Sequence, residues 1–324
     1  MRQWHDGIDP TRHRGLEIGA LHNPRFDPAS PNVFFVDHAD RAALQRKYAE
    51  NADLTSELDS LVDVDFVWGA GQRTLSEIAK AVVPLDFVYA SHVFEHLVNP
   101  VGWLEQLADV LRTGGIVSLV IPDKRFCFDV NRRVSEIADV VDGYLSHATK
   151  PTYRQIYDFY SKMVSVDTIA LWEGTRDYSR EVRTDHDPDQ LGMDMCRRSE
   201  HGDYVDSHCG VYTPDSFLTI IEKLAALGLL QFRVRDFQAT PVNSLEFRVV
   251  LEKLPDELGD EKRRRLITES LEVARRNAGL VAPPREQAPQ PVLGPRELAV
   301  ILRKREAVDR LHHVRARLSR LRRR

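Results

Sequence analysis

Short apolar runs alternate with helical patterns along the first half of the chain. Five runs have the character of β-strands, and the fifth is almost continuously apolar, as expected of a strand buried on both faces. These predicted strands cover residues 15–19, 33–37, 64–68, 85–90 and 116–121. Helical spacing of apolar residues occurs between them, at residues 41–49, 75–82 and 101–111. Alternation of strands and helices predicts an α/β fold, in which helices cover both faces of a parallel sheet.

This alternation changes in the second half of the chain. Residues 213–228 form a predicted helix, with Thr213 as its cap and Pro214 in its first turn. Two strands follow at residues 231–237 and 245–254 and predict a hairpin at the end of the sheet. Residues 125–206 show no strand alternation. We therefore expect a mostly helical insertion over the carboxyl edge of the sheet, where it would form a cap or a lid over the substrate.

The composition shifts after residue 254. We expect the domain of residues 1–254 to be followed by a charged helix at 255–281, a proline-rich linker at 282–295 and a basic helical tail at 296–324. The tail, counted from Pro295, holds 11 Lys and Arg against 3 Asp and Glu, so a chain of net charge −4 has an acidic body. An acidic body argues against nucleic acid as a partner. The tail suits either peripheral contact with an anionic membrane or self-association.

Other features of the sequence limit the compartment and the redox chemistry. No apolar run is long enough to cross a bilayer, and the first ten residues lack the apolar core of a signal peptide, so we expect a cytoplasmic protein. The three cysteines are odd in number and widely spaced, and they fit neither a disulfide framework nor a thiolate zinc site.

Two features mark the ends of the first two predicted strands. The first strand contains Glu17 and turns through Gly19, where backbone can approach a ligand closely. The second strand ends at Asp37, about 20 residues further on, where nucleotide-binding α/β folds place a carboxylate on a ribose diol. Each feature alone also fits an ordinary strand end. Their spacing together favours a cofactor that contains a nucleoside.

A longer motif runs from residues 87–97 through 104–115 to 120–123. It resembles the fourth strand, the following helix and the fifth strand of class I S-adenosylmethionine-dependent methyltransferases. Three further segments resemble a bacterial, methyltransferase type 11-like subset that is linked to glycan and natural-product pathways: residues 17–24, 121–126 and 206–214. The resemblance covers about residues 15–253. It implies a Rossmann-like seven-stranded sheet that ends in an antiparallel hairpin.

The resemblance implies S-adenosylmethionine as the cofactor, bound at the ends of the first four strands. The residues that would bind it are Glu17, Gly19, Ala20, Asp37, Ala70, Gly71, Ser91 and His92. Among them, Asp37 would hold the ribose, and the backbone near Ala70 and Gly71 would face the adenine. The sequence departs from the family pattern at Trp68, which stands near the place where an acidic residue often follows the third strand.

Methyl transfer to an oxygen requires removal of the hydroxyl proton, and histidine is suited to this because its pKa lies near neutrality. His147 lies at a predicted helix end within the insertion, and His208 precedes the helix that begins near Thr213. These two are the candidate bases, with Asp206 placed to orient the ring of His208. His96 follows a strand end beside apolar Leu97, which favours a hydrogen-bonded packing residue rather than a base.

The insertion contains two further groups of residues that suit ligand binding. Carboxylates that could bind magnesium cluster with a histidine at Asp185, His186, Asp187 and Asp189, although such clusters are more often solvated loop, and we assign no metal ligand. Aromatic residues that suit either a sugar ring or a helical core are Tyr144, Tyr153, Tyr157, Phe159, Tyr160, Trp172 and Tyr178.

The combined sequence features predict an O-methyltransferase that acts on a hydroxyl of a sugar, a glycan or another small molecule. Two alternatives stay open, because a fold alone does not set the acceptor atom. One is a non-catalytic methyltransferase-like scaffold that is docked by its basic tail. The other is an N- or C-methyltransferase of a small molecule.

Overall fold

The computed structural model describes residues 6–49, 55–69, 73–178 and 187–280. Ala70 and Gly71 lie outside the described residues, as do the predicted linker and tail at 282–324. The first compact unit of the chain ends at Leu280. No helix in the described part of the chain is both long enough and apolar enough to span a membrane.

Seven strands form one sheet in the order β3-β2-β1-β4-β5-β7-β6. Their bounds are β1 (Gly15–Ile18), β2 (Val33–Asp37), β3 (Phe66–Val67), β4 (Leu85–Ser91), β5 (Leu111–Pro122), β6 (Phe232–Gln238) and β7 (Glu246–Lys253). Strand β7 runs antiparallel to both of its neighbours, β5 and β6, whereas the pairs among β1 to β5 are parallel. This arrangement confirms the predicted Rossmann-like methyltransferase sheet with its terminal hairpin. Strand order reverses between β1 and β4, which creates a switch point where open α/β sheets bind ligands.

Helices flank this sheet and form the predicted insertion. Their bounds are α1 (Arg41–Tyr48), α2 (Leu75–Ile78), α3 (Pro100–Val110), α4 (Ile137–Leu145), α5 (Tyr153–Lys162), α6 (Thr168–Glu173), α7 (Pro188–Glu200), α8 (Pro214–Ala226) and α9 (Asp260–Asn277). Helices α4 to α7 lie in the insertion, as predicted. Helix α8 begins with the expected cap, because the Thr213 side chain accepts a hydrogen bond from the backbone N–H of Ser216 and Pro214 occupies the first turn.

The centre of the sheet is buried on both faces. Val88 of β4 and Val117 and Leu119 of β5 are fully buried, which explains why β5 is continuously apolar. Strand β5 is longer than predicted and begins directly after α3. Its first residues bulge away from β4, since the pairing register shifts between Leu85 and Phe87.

Helix α9 packs on the same core, although the sequence suggested a helix beyond the 1–254 domain. Its residues Ile267, Leu271 and Ala274 are buried in the main apolar cluster. Arg275 also donates a hydrogen bond from Nη1 to Glu222 Oε2 of α8, at 2.8 Å. The periodic apolar face of this charged helix is therefore part of the first compact unit.

Candidate functional site

A cleft of about 720 Å³ opens at the carboxyl edge of the sheet. Residues at or just beyond the ends of the first four strands line it, among them Gly19, Asp37, Trp68 and His92. The cleft therefore lies at the switch point between β1 and β4. Its volume is within the range of about 300–1,000 Å³ found for small-molecule sites.

Gly19 brings two loops of this cleft close together. Its φ of 72° is in the left-handed region, and a Cβ atom at this position would lie 2.8 Å from Val93 Cγ2, on the loop after β4. Only glycine meets both requirements without strain. The turn after β1 thus exposes its backbone to the cleft, as the sequence predicted for a close approach to a ligand.

The structure places Glu17 behind the cleft rather than in its wall. Its buried carboxylate accepts hydrogen bonds from the backbone N–H groups of Arg25 and Phe26, at 2.8 and 3.1 Å. Burial raises the pKa of Glu17, although these bonds act in the opposite direction. Ala20 packs against the small apolar cluster that contains Phe26. Glu17 therefore shapes the loop that follows Gly19, and a direct contact of Glu17 with a cofactor stays a prediction.

Asp37 presents one oxygen to the cleft at the end of β2. Its Oδ1 accepts a hydrogen bond from the backbone N–H of His38 at 2.7 Å and lies 2.6 Å from His38 Nδ1. No hydrogen bond from the described residues reaches Oδ2. A carboxylate that is held by one oxygen and free at the other suits a ligand hydroxyl.

Strained backbone is concentrated at the cleft. Four residues other than glycine have a positive φ in the described part of the chain, namely Leu21, His92, His147 and Asn243. The first three of them line the cleft. Such conformations cost about 1–3 kcal/mol each and often cluster at functional sites, although the one at His147 also ends helix α4. This distribution supports the assignment of the cleft as the functional site.

His92 is held between two carboxylates. Its Nε2 lies 3.0 Å from Glu246 Oε2 of β7, and its Nδ1 lies 3.5 Å from Glu95 Oε1. Burial opposes the charged form, but the hydrogen bond to Glu246 and the negative charges of both glutamates outweigh it and raise the pKa of His92 to about 10. At neutral pH, His92 is therefore a cation and does not serve as a base. Its neighbour Ser91 is not among the described residues that line the cleft.

His96 is hydrogen-bonded, as the sequence predicted, but it also lines the cleft. Its Nδ1 lies 2.9 Å from Asp206 Oδ1, and Asp206 Oδ2 lies 3.8 Å from Lys47 Nζ. Burial opposes charge on both partners, but their hydrogen bond raises the pKa of His96 and lowers the pKa of Asp206 to about 2. The three side chains form a connected polar group on one wall.

The expectation that Asp206 orients His208 is wrong. His208 is only 4% exposed, and its Nδ1 lies 2.5 Å from Oδ2 of the buried Asp129. Its ring packs against those of Phe128 and Phe159, with centroids 4.9 and 5.2 Å apart. This aromatic packing turns His208 inward, where Asp129 is the available carboxylate, while Asp206 faces the cleft and meets His96. His208 is therefore not part of the cleft wall that the described residues form.

His147 projects over the cleft from the insertion. It follows α4 in a left-handed conformation with a φ of 50°. The backbone N–H groups of His147 and Ala148 donate to the carbonyl oxygens of Tyr144 and Gly143, at 3.1 and 3.0 Å. This pair of backbone hydrogen bonds is the Schellman motif, which ends many helices. The imidazole is exposed, lines the cleft and has no hydrogen bond to any described residue.

The described members of the two remaining groups from the insertion do not line the cleft. Asp187 caps α7 by accepting from the N–H groups of Asp189 and Gln190, and Asp189 Oδ1 accepts from the Tyr157 hydroxyl at 2.8 Å. Asp185 and His186 lie outside the described residues, so a magnesium site there stays untested. None of the predicted insertion aromatics lines the cleft. The aromatic residues that do are Tyr48, Trp68, Trp103 and Tyr204.

Comparison with known proteins shows that the fold of this chain is similar to those of several solved structures. No family model matches the chain, and no curated protein matches it. Among solved structures, the chain is similar to the CurJ carbon methyltransferase at 12% identity, with a TM-score of 0.32 and coverage of 77% of this chain and 51% of that one. The chain thus spans about half the length of that protein.

Two further solved structures are similar at comparable levels. One is a proposed S-adenosylmethionine-dependent methyltransferase from Listeria monocytogenes, at 12% identity, with a TM-score of 0.36 and coverage of 76% of this chain and 93% of that one. The other is an O-methyltransferase from a Brevibacillus brevis multienzyme in complex with S-adenosyl-L-homocysteine, at 13% identity, with a TM-score of 0.33 and coverage of 86% and 82%. The class of fold is defined by the chain's own strand order, which is that of the Rossmann-like methyltransferases.

Proposed function

We propose that this protein is an S-adenosylmethionine-dependent methyltransferase. The observation that carries the proposal is the cleft at the switch point, where the Gly19 turn and the Asp37 carboxylate face one space. When bound, the cofactor supplies the methyl group and the positive charge of its sulfonium. The free Oδ2 of Asp37 suits a ribose hydroxyl. Trp68 and Trp103 stack with their centroids 6.4 Å apart and offer an apolar wall for a base.

For the acceptor, we propose a hydroxyl group of a sugar or glycan. Polar groups from both the sheet side and the insertion line the cleft, including Lys47, Asp206, Tyr204 and His147. Polar groups placed among aromatic and apolar side chains fix the orientation of a small-molecule ligand, and these groups can form hydrogen bonds with its hydroxyls. The cleft volume of about 720 Å³ leaves room for an acceptor beside the cofactor.

His147 is our preferred base. Its ring lines the cleft and has no hydrogen-bond partner among the described residues, so Nδ1 or Nε2 is free to take the proton from an acceptor hydroxyl. His92 is excluded from this role by its charge. His208 remains a weaker candidate, because its Nδ1 is engaged by Asp129 and its ring is buried.

A two-stage experiment tests this proposal with the full chain. Calorimetric titration with S-adenosylhomocysteine tests the cofactor, and absence of binding would overturn the whole proposal. Incubation with labelled S-adenosylmethionine and a panel of mono- and oligosaccharides tests the acceptor. Cofactor binding without transfer to any hydroxyl would overturn the acceptor assignment, and it would favour a non-catalytic scaffold or an N- or C-methyltransferase.

The basic tail at residues 296–324 lies outside the described residues, and for it we make a separate proposal from its sequence. Its positive charge and the helical spacing of its apolar residues Leu298, Ile301, Leu302, Val308 and Leu311 support peripheral contact with anionic membrane or self-association. Deletion of residues 295–324 separates these two roles. Loss of co-sedimentation with anionic vesicles would favour the membrane, and a smaller mass in solution would favour self-association.

A further inference from the structure

Glu95 is a fully buried carboxylate without hydrogen bonds. It lies in the short turn Phe94–His96 after β4, with 0% of its surface exposed. Neither of its oxygens has a hydrogen-bond partner among the described residues. His92 Nδ1 is 3.5 Å from Oε1, at ion-pair distance but without hydrogen-bond geometry. The His92 cation offsets part of the cost of burying this carboxylate, but both oxygens still lack a hydrogen bond, so the group can accept a further partner.

Two histidines lie beside this carboxylate. One potential ligand atom from each of Glu95, His96 and His208 lies within 4.8 Å of the others. The two imidazole rings meet edge to face, with their centroids 4.7 Å apart. The backbone N–H of Gly210 donates to the Glu95 carbonyl oxygen at 2.8 Å, and this bond fixes the segment that carries His208 beside the turn that carries Glu95 and His96.

Each histidine is already oriented by a carboxylate of its own. The Nδ1 atoms of His96 and His208 are bonded to Asp206 and Asp129, at 2.9 and 2.5 Å. Their Nε2 atoms have no hydrogen bond to any residue that the structure describes. A histidine that donates from one nitrogen to a carboxylate and keeps the other free is the usual arrangement of a metal ligand with its outer partner.

We propose that Glu95, His96 and His208 together bind one divalent transition-metal ion. Two imidazole nitrogens and one carboxylate form a ligand set that zinc and its neighbours prefer, whereas magnesium prefers oxygen ligands alone. Ligand atoms in a tetrahedral zinc site are about 3.4 Å apart, given metal–ligand bonds of about 2.0–2.1 Å. The three atoms lie within 4.8 Å of one another, so binding of an ion would require them to move closer together.

The position of this site relates it to the cleft. Three protein ligands leave a fourth position open, as in catalytic rather than structural zinc sites. His96 is the one of the three that lines the cleft among the described residues, so an ion bound by it would lie next to the cleft. A hydroxyl bound at this position would have a lower pKa and would lose its proton more readily. That last consequence rests on the proposed function, whereas the metal site itself does not.

The competing explanation is that Glu95 is neutral and shares a proton with a neighbouring histidine. It predicts a cluster that binds no metal. Titration of the full-length, chelator-treated protein with Zn²⁺, and with Co²⁺ as a coloured substitute, distinguishes the two explanations. We expect one equivalent of tightly bound ion and a visible Co²⁺ spectrum of low coordination number.

Variants test whether the tightly bound ion is held by Glu95, His96 and His208. Glu95→Gln keeps the volume and removes the charge, and we expect it to abolish the tight equivalent. Asp129→Asn disturbs an outer partner and should weaken binding by about 10–100-fold. His201→Gln is the matched control, since this histidine lies at the end of α7 and bonds to the Arg197 carbonyl oxygen. It should retain the full equivalent.

Two results would overturn the metal site. One is absence of a tight Zn²⁺ equivalent in the wild type, and the other is retention of that equivalent by both Glu95→Gln and His208→Asn. Histidines of the tail are present in every variant, so the differences between variants isolate the cluster. Thermal unfolding of each variant identifies any that is misfolded. If His208→Asn is misfolded, retention or loss of the Zn²⁺ equivalent by Glu95→Gln alone decides whether the site exists. Parallel titration with S-adenosylhomocysteine shows whether a failure concerns the metal or the proposed function.

Discussion

His96 Nδ1 lies 2.9 Å from Asp206 Oδ1, a hydrogen bond that joins residues 110 positions apart in the sequence. It connects the turn after β4 to the segment that follows the helical insertion. The same segment places His208 against Asp129 and beside Glu95. One wall of the cleft therefore depends on how the end of the insertion packs on the sheet.

Asp37→Ala should weaken binding of S-adenosylhomocysteine. The variant removes the free carboxylate oxygen at the end of β2, and a hydrogen bond to a charged group contributes about 1.5–3 kcal/mol, or roughly 10–100-fold in affinity. Isothermal titration calorimetry measures this change. Asp63→Asn is the control, because its side chain is 89% exposed, and it should bind as the wild type does. Equal affinities of Asp37→Ala and the wild type for S-adenosylhomocysteine would show that Asp37 does not bind it.

Gly19→Ala should destabilise the protein more than Gly174→Ala. Both glycines have a positive φ, of 72° and 64°, which costs an alanine about 1–2 kcal/mol. Only at Gly19 would the added Cβ also meet a neighbour, Val93 Cγ2 at 2.8 Å, whereas Gly174 has open space. Urea unfolding of the two variants isolates the cost of that close approach. Equal destabilisation would show that the loops at Gly19 separate freely.

His147→Gly should abolish most methyl transfer without loss of stability. Removal of a general base typically lowers the rate by about 10²–10⁴-fold. Glycine tolerates the φ of 50° at this position, so the helix end is preserved or strengthened. Rates at saturating cofactor, together with thermal unfolding, separate a catalytic effect from a structural one. An unchanged rate of methyl transfer would show that a group other than His147 is the base.

Asp6→Asn should reduce stability at neutral pH and much less in acid. Burial opposes the charged form of this aspartate, but the Arg25 guanidinium and the Ser118 hydroxyl outweigh it and hold its pKa below the ordinary value of 3.8. A lowered pKa in the folded state contributes stability above the unfolded pKa, and this contribution is lost as the pH falls through the folded pKa.

The expected loss for Asp6→Asn is about 1.5–3 kcal/mol at pH 7, and it should shrink steadily below pH 4. Urea unfolding at pH 7, 5, 4 and 3 measures the difference from the wild type. Asp109→Asn, on an exposed part of α3, should show no such dependence. A difference that is constant across this pH range would contradict the electrostatic origin.

Most of the fold could be predicted because its signals are local. The apolar periods of β1, β2, β4 and β5 and the cap at Thr213 each lie within a few residues, and the structure has them close to the predicted bounds. The predicted bounds of β3 and the predicted start of β5 were less accurate, since strand ends depend on pairing with neighbouring strands.

The sequence alone determined the α/β alternation, the terminal hairpin, and the placement of Gly19 and Asp37 at strand ends, because these follow from period and position within a strand. Only the tertiary structure decided which carboxylate orients which histidine and that Glu95 is buried without a hydrogen bond. The reason is physical: the partners of His96 and His208 are 110 and 79 residues away. For His208, packing against Phe128 and Phe159, rather than sequence spacing, sets the direction in which the ring points.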